Sequence, residues 1–240
     1  MTLDNLLQQL KSAHGDRLLG VVLYGSTATD PAATKGHNIV VVVATLDVVA
    51  MQAAGAIARA WESAGNAAPL TLTQAEWISS VDVFAIEHAD ISDRNRVLHS
   101  AGGFALTARA GVRNADIRHQ LEYELLAVTL AVRTAIASAG GNVSARRSIL
   151  AGQASRAVAL MRAALRLAGR DAVVEAEGVC AAAAELAGFD ANPFLAALKQ
   201  RRGQADVAKA DLDAATGGFH TGLAKLLRWV DAQGSTAAAQ

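Results

Sequence analysis

The sequence predicts an α+β domain, with a mixed sheet of about four or five strands and flanking helices, followed by an all-α antiparallel bundle. Three observations predict it. Aliphatic runs alternate with helical patterns in the first part of the chain. Those runs vanish near residues 111–114, where helix formers take over. Glycines at 140, 141, 169 and 188 then separate long helical stretches, as short turns between antiparallel helices do. The chain has 240 residues, enough for two modest domains, placed at 1–110 and 111–233 with a flexible small-residue tail at 234–240.

The elements follow in order. Leu3, Leu6, Leu7 and Leu10 recur at helical spacing, predicting a helix over 3–10. Residues 18–24 read as an aliphatic strand broken by Gly25-Ser26, with Ser26 able to cap a short helix. Residues 31–36 read as a loop. The Val/Ile run over 38–44 has the pattern of a strand covered on both faces. A helix over 47–64 has Asp47 as N-cap, 70–73 is a short strand, and 74–80 a helical turn or two. Residues 83–91 read as a further strand carrying Glu87 and Asp90. Beyond the composition change, helices are predicted from Asn114 or Asp116 to about 138, from Ser144 to about 167, and over 171–187. A fourth opens at Asn192-Pro193, and a last covers about 211–231, with Gly217-Gly218 as a point of division.

Composition excludes several function classes. Lys+Arg and Asp+Glu are both 22, so net charge is zero and a general nucleic-acid binder is not expected. Only 18% of residues are charged and 52% are hydrophobic, a balance that favours self-association and points to a homodimer. The single cysteine, Cys180, excludes an internal disulfide and reads as a small buried hydrophobe. The first ten residues lack the basic start of a signal peptide, and no apolar run reaches a membrane span. A cytoplasmic protein is expected.

The segment Leu23-Tyr24-Gly25-Ser26-Thr27-Ala28, followed by Lys35-Gly36-His37-Asn38 and a second aliphatic strand, carries the chemistry. Transfer of a nucleoside monophosphate needs a grip on the triphosphate, often backbone N–H groups at a turn or helix start. It also needs Mg²⁺ fixed between carboxylates and phosphates. Two acids at i and i+2 on a strand serve the metal because they share a face.

These residues resemble the polymerase-beta-type nucleotidyltransferase superfamily, in a bacterial subgroup with a helical C-terminal domain. The Gly25-Ser26 turn resembles the family's Gly-Ser signature, and residues 35–42 resemble its Ser-Asp-x-Asp segment and strand. Residues 83–99 and 118–125 resemble the later strand and the first bundle helix. The resemblance implies nucleotide binding by Gly25, Ser26 and Lys35, in a cleft between the two domains. It places Gly36 and Asn38 where the metal-binding Asp residues stand, so those acids are lost. The third carboxylate falls on Glu87, with Asp90 as the lesser candidate. Asn38 offers only a neutral oxygen to a hard cation. Lys35 and His37 add positive charge where a metal would sit.

The expected function is a degenerate, catalytically inactive nucleotidyltransferase-like protein. It retains nucleotide or phosphate binding in a regulatory or scaffolding role. The first alternative is an active enzyme transferring a nucleoside monophosphate to a hydroxyl acceptor, with Glu87 among non-standard ligands. Mg²⁺ and a nucleoside triphosphate are implied only in that case. The second is a non-catalytic module whose alanine-rich bundle dimerises. Arg94 with His99 reads as structural or coincidental; Glu122 and Glu124 begin the bundle where the resemblance implies a general base, and nothing in the sequence positions either. Arg162, Arg166 and Arg170, four residues apart, read as a solvated helical face.

Overall fold

The structure is a computed structural model that describes residues 1–28, 35–104, 111–170 and 175–237, with the backbone alone described at 26 and 235–237. The chain divides into two compact units, Met1–Arg113 and Asn114–Gln240.

The first unit contains α1 (Leu3–His14), β1 (Leu18–Tyr24), β2 (Asn38–Val43), α2 (Val48–Ser63), β3 (Leu70–Thr73), α3 (Gln74–Ser79), α4 (Ala85–Asp93) and β4 (Asn95–Ser100). The sheet order is β3-β2-β1-β4. β1 runs antiparallel to β2 and to β4, and β2 runs parallel to β3. Alternation divides the two central strands between two cores. Val21, Leu23, Ile39, Val41 and Val43 pack with Leu6 and Leu10 of α1 and Ile57 and Trp61 of α2. Val22, Val40 and Val42 pack with Trp77 of α3 and Ile91 of α4. That is why 38–43 reads as a continuous Val/Ile run: both faces are covered.

Local signals fix the helix starts. Asp47 Oδ1 accepts from the Ala50 N–H at 2.7 Å, capping α2. Thr73 and Glu76 form a reciprocal capping box at α3.

Of residues 83–91, expected as a strand, 85–91 instead belong to helix α4, and 83–84 lie in the turn before it. Ala85, Ile86, Ala89 and Ile91 are buried at helical spacing, which a period of two does not produce. The fourth strand is β4, which lies at the exit of the 83–99 segment that the resemblance matched and after the 83–91 run expected to form it. It is an edge strand with Asn95, Arg96, His99 and Ser100 among its six residues, so it lacks the aliphatic run that marks β1 and β2.

The second unit contains α5 (Asn114–Ala139), α6 (Val143–Leu167), α7 (Ala176–Ala187), α8 (Asn192–Arg201) and α9 (Leu212–Ala237). α6 is its centre, packing on α5, α7, α8 and α9. Small residues make this possible: Ala154, Ala157, Ala163, Ala164, Ala183 and Ala197 are all buried. Gly188, in the left-handed region at φ 69°, closes α7.

Gly217 and Gly218 do not divide the last helix; α9 is continuous through them. Gly218 is there for contact, since a Cβ on it would lie 2.6 Å from Pro193 Cγ at the start of α8. α9 also continues past Gly234, where the helix was expected to have ended. A Cβ at 234 would lie 2.8 Å from the Arg118 guanidinium, so the glycine leaves room for that side chain of α5. Among the described residues, no helix is long and apolar enough to cross a membrane.

Candidate functional site

The candidate site forms where β1 ends. Gly25 turns the chain at φ 81°, and its N–H donates to the Arg94 carbonyl at 3.1 Å, tying the turn to the end of α4. The Ala28 N–H donates back to the Gly25 carbonyl at 3.2 Å. A side chain at 25 would be doubly opposed, by the left-handed backbone and by Asn38 Nδ2, 3.2 Å from its Cβ. The helix after the turn is one 3₁₀ turn, Ser26–Ala28, and its dipole is a small part of a full helix's. The Thr27 hydroxyl is buried without a hydrogen-bond partner.

Asn38 is the first residue of β2, paired across the ladder with Tyr24, and its side chain points to the Gly25 turn. Gly36 is not on the strand. It lies in coil at φ 76°, its N–H donating to the Gly65 carbonyl at 3.0 Å. The rule that i and i+2 share a face therefore does not join positions 36 and 38. Lys35 is exposed, with its stem beside Gly65.

His37 does not add positive charge here, contrary to the sequence expectation. It is buried, stacked on Trp61 with ring centroids 5.8 Å apart. Its N–H donates to Asn66 Oδ1 at 3.1 Å. Burial, and then the Arg96 guanidinium, hold the imidazole below its ordinary range, so it is neutral at pH 7.

Glu87 reaches the site from the first turn of α4, half-buried, and not from a strand. Its neighbour is Tyr24. Burial first, then the Glu87 and Asp90 carboxylates, push the Tyr24 phenol up to about 12. Asp90 accepts from Arg94 Nη2 at 3.0 Å, an ion pair with both side chains largely out of solvent. Arg94 Nη1 is buried without a partner. Glu87, Asp90 and Arg94 stand at i, i+3 and i+7, so reading 83–91 at helical period would have grouped them. The strand reading separated them.

The other candidates stand apart. Arg94 ends α4 and His99 lies on β4 opposite Val21, so the pair is structural. Arg170 lies past the end of α6 and pairs with Glu185 at 3.3 Å. Arg162 and Arg166 are half-buried, with Nε and Nη1 enclosed, so the three do not form one solvated face. Glu122 pairs with Arg118 at 2.8 Å, and Glu124 with Arg156. Cys180 is buried, and burial, with Glu177 adding, pushes its thiol up to about 11. A cavity of about 420 Å³ in the helical unit, between α8 and the start of α9, contains none of the site residues.

The donor set is poor for a divalent cation. Gly36 brings no side chain and Asn38 only a neutral amide oxygen. Asp90 is spent on Arg94. Among the described residues, no group of three or more His, Cys, Asp or Glu side chains could hold a metal ion.

No family model matches the chain, and no curated protein matches it in sequence. Among solved structures it is similar to a spectinomycin adenyltransferase from Enterococcus faecialis, solved with ATP and spectinomycin. The TM-score is 0.62 and the identity 10%, over 96% of this chain and 100% of that one. At that identity the likeness shows the fold: a nucleotidyltransferase-like α+β part with a mixed four-stranded sheet, followed by a mostly helical part.

Proposed function

We propose that this is a nucleotidyltransferase-like protein of the cytoplasm that binds a nucleotide at the Gly25 turn without metal and does not transfer it. Its role is regulatory or scaffolding. The observation that carries the reading is the pair Gly36 and Asn38. One is a left-handed coil residue and the other a neutral amide, at the edge of a turn whose backbone is intact. Mg²⁺ does not fit this donor set, because a hard cation held against a polyanion needs several carboxylates. Support for nucleotide binding comes from the fold and from the neighbouring adenyltransferase, which was solved with ATP.

In this reading Ser26 offers its backbone N–H to a phosphate, and Gly25, whose own N–H is held by the Arg94 carbonyl, supplies the left-handed turn before it. The exposed Lys35 ammonium supplies countercharge. Glu87 is the remaining carboxylate. Residues 1–110 hold the nucleotide and 111–233 form the helical domain. Equilibrium binding of ATP and GTP in EDTA tests it. Wild type binds, Lys35→Ala binds several-fold more weakly, and Gly25→Val does not bind. Equal affinities in all three would overturn the assignment.

One observation favours the active-transferase alternative: Glu87 and Asp90 both act on Tyr24, so two carboxylates stand at the end of β1. Pyrophosphate release with Mg²⁺, abolished in Glu87→Gln, would establish it.

A further inference from the structure

The cavity of about 420 Å³ between α8 and the start of α9 has the size of a small-molecule site. It is open because its walls are small: Ala196 of α8 and Ala214 of α9 line it. Its floor is apolar, since Pro193, Val207 and Ala215 are buried.

The segment joining the two helices supplies a further wall, and that wall is pinned. Gln200 Nε2 donates to Asp206 at 2.7 Å, and Gln200 Oε1 accepts from the Val207 N–H at 2.9 Å. From α6, Arg147 donates to the Val207 carbonyl through Nε at 2.9 Å and Nη2 at 2.7 Å, and it pairs with Asp206 at 3.3 Å. A wall held this way is ordered before a ligand arrives, so binding does not bear that cost.

The same bonds spend the charge of Asp206. Asp190, another acid at the cavity, accepts from the Asn192 N–H at 2.9 Å. Two charged groups on the lining are not spent: Lys199 and Asp211 are exposed, and neither side chain has an ion-pair partner among the described residues. Glu177, the carboxylate that feels the Lys199 charge, is held by Arg202.

The fold sets these two at one end of the cavity. A Cβ on Gly218 would lie 2.6 Å from Pro193 Cγ, so the start of α8 sits about two turns along α9. The helices therefore run antiparallel, and Lys199, in the last turn of α8, lies level with Asp211 just before α9. Opposite charges left level and unjoined flank an opening. A ligand with an ammonium and a carboxylate on one carbon satisfies both, the first on Asp211 and the second on Lys199. Its apolar side chain then covers the floor.

We infer that this cavity binds a zwitterionic amino acid with an apolar side chain. The site shares no residue with the Gly25 turn and stands whether or not that turn binds a nucleotide.

Calorimetric titration of the whole chain with phenylalanine, from about 10 µM to about 10 mM, tests it. Phenylalanine is expected to bind. Phenethylamine, which lacks the carboxylate, and hydrocinnamate, which lacks the ammonium, are expected to bind at least ~10-fold more weakly, and glycine not at all. Lys199→Ala is expected to weaken phenylalanine and hydrocinnamate but not phenethylamine; Asp211→Asn is expected to weaken phenylalanine and phenethylamine but not hydrocinnamate. Ala214→Trp, with circular dichroism unchanged because the position is exposed, fills the cavity and is expected to abolish binding. No binding of phenylalanine by the wild-type chain would overturn the inference. So would equal binding of its amine and acid analogues, or wild-type affinity in Ala214→Trp, which places the ligand elsewhere.

Discussion

The two units build their cores from opposite materials. The sheet unit fills two layers with Val, Ile and Leu, and seats Trp61 at 0% exposure between sheet and helices. The helical unit packs alanines around α6 and lets glycines on α9 admit the side chains of neighbouring helices. The first core therefore tolerates loss of volume badly, the second gain of volume.

Substitutions that break one unit's rule and spare the other's test this contrast. The largest effect is expected for Trp61→Ala, which empties the layer between β2 and α2 and should cost ~3–5 kcal/mol by denaturant unfolding. Next is Gly222→Ala. The new Cβ would lie 2.7 Å from Phe194 Cζ, in an aromatic cluster where Phe194 also meets Phe219 at 4.5 Å between centroids. Overpacking of this kind costs ~1–3 kcal/mol. If Gly222→Ala were neutral while Leu223→Ala was severe, the helical core would be ruled by volume like the sheet.

Acid should separate the units next. His14, His37 and His88 all lie in the sheet unit, and burial holds each imidazole below its ordinary range. His88 is further fixed by Ser80 Oγ, 3.1 Å from Nε2. The unfolded chain takes up these protons near pH ~6.5 while the folded chain does not, so the sheet unit's stability is full above that pH. It is lost as pH falls toward the depressed folded values. Urea midpoints for a sheet-unit probe, Trp61 or Trp77 fluorescence, should drop between about pH 7 and about pH 5. A flat or rising midpoint would contradict the burial of these rings. The smallest effect is Asp47→Ala, which removes the α2 cap and should cost ~1 kcal/mol.

How much of this was legible follows the same division. β1, β2, β3 and the Asp47 cap were readable because dense aliphatic runs and cap residues are local signals. α4 was misread because its short apolar run fits both periods, and β4 was missed because an edge strand needs few apolar residues. That one error hid the grouping of Glu87, Asp90 and Arg94 near Tyr24. Gly36 was readable as loop, yet the resemblance set it beside Asn38 as a metal position, because a motif's spacing says nothing of φ. His37 was counted as a charge because its stacking on Trp61 depends on a residue far along the chain. In the helical unit, Gly218 and Gly234 looked like helix ends because sequence does not distinguish a break from a close approach.

The central claim is that the Gly25 turn holds a nucleotide without a metal. Calorimetric titration of the purified chain with ATP, once with Mg²⁺ and once with EDTA, tests it most directly. The account predicts binding in both, with little difference in affinity. Binding that appears only with Mg²⁺ would contradict it, and would mean that Glu87 and its neighbours assemble a metal site around the triphosphate.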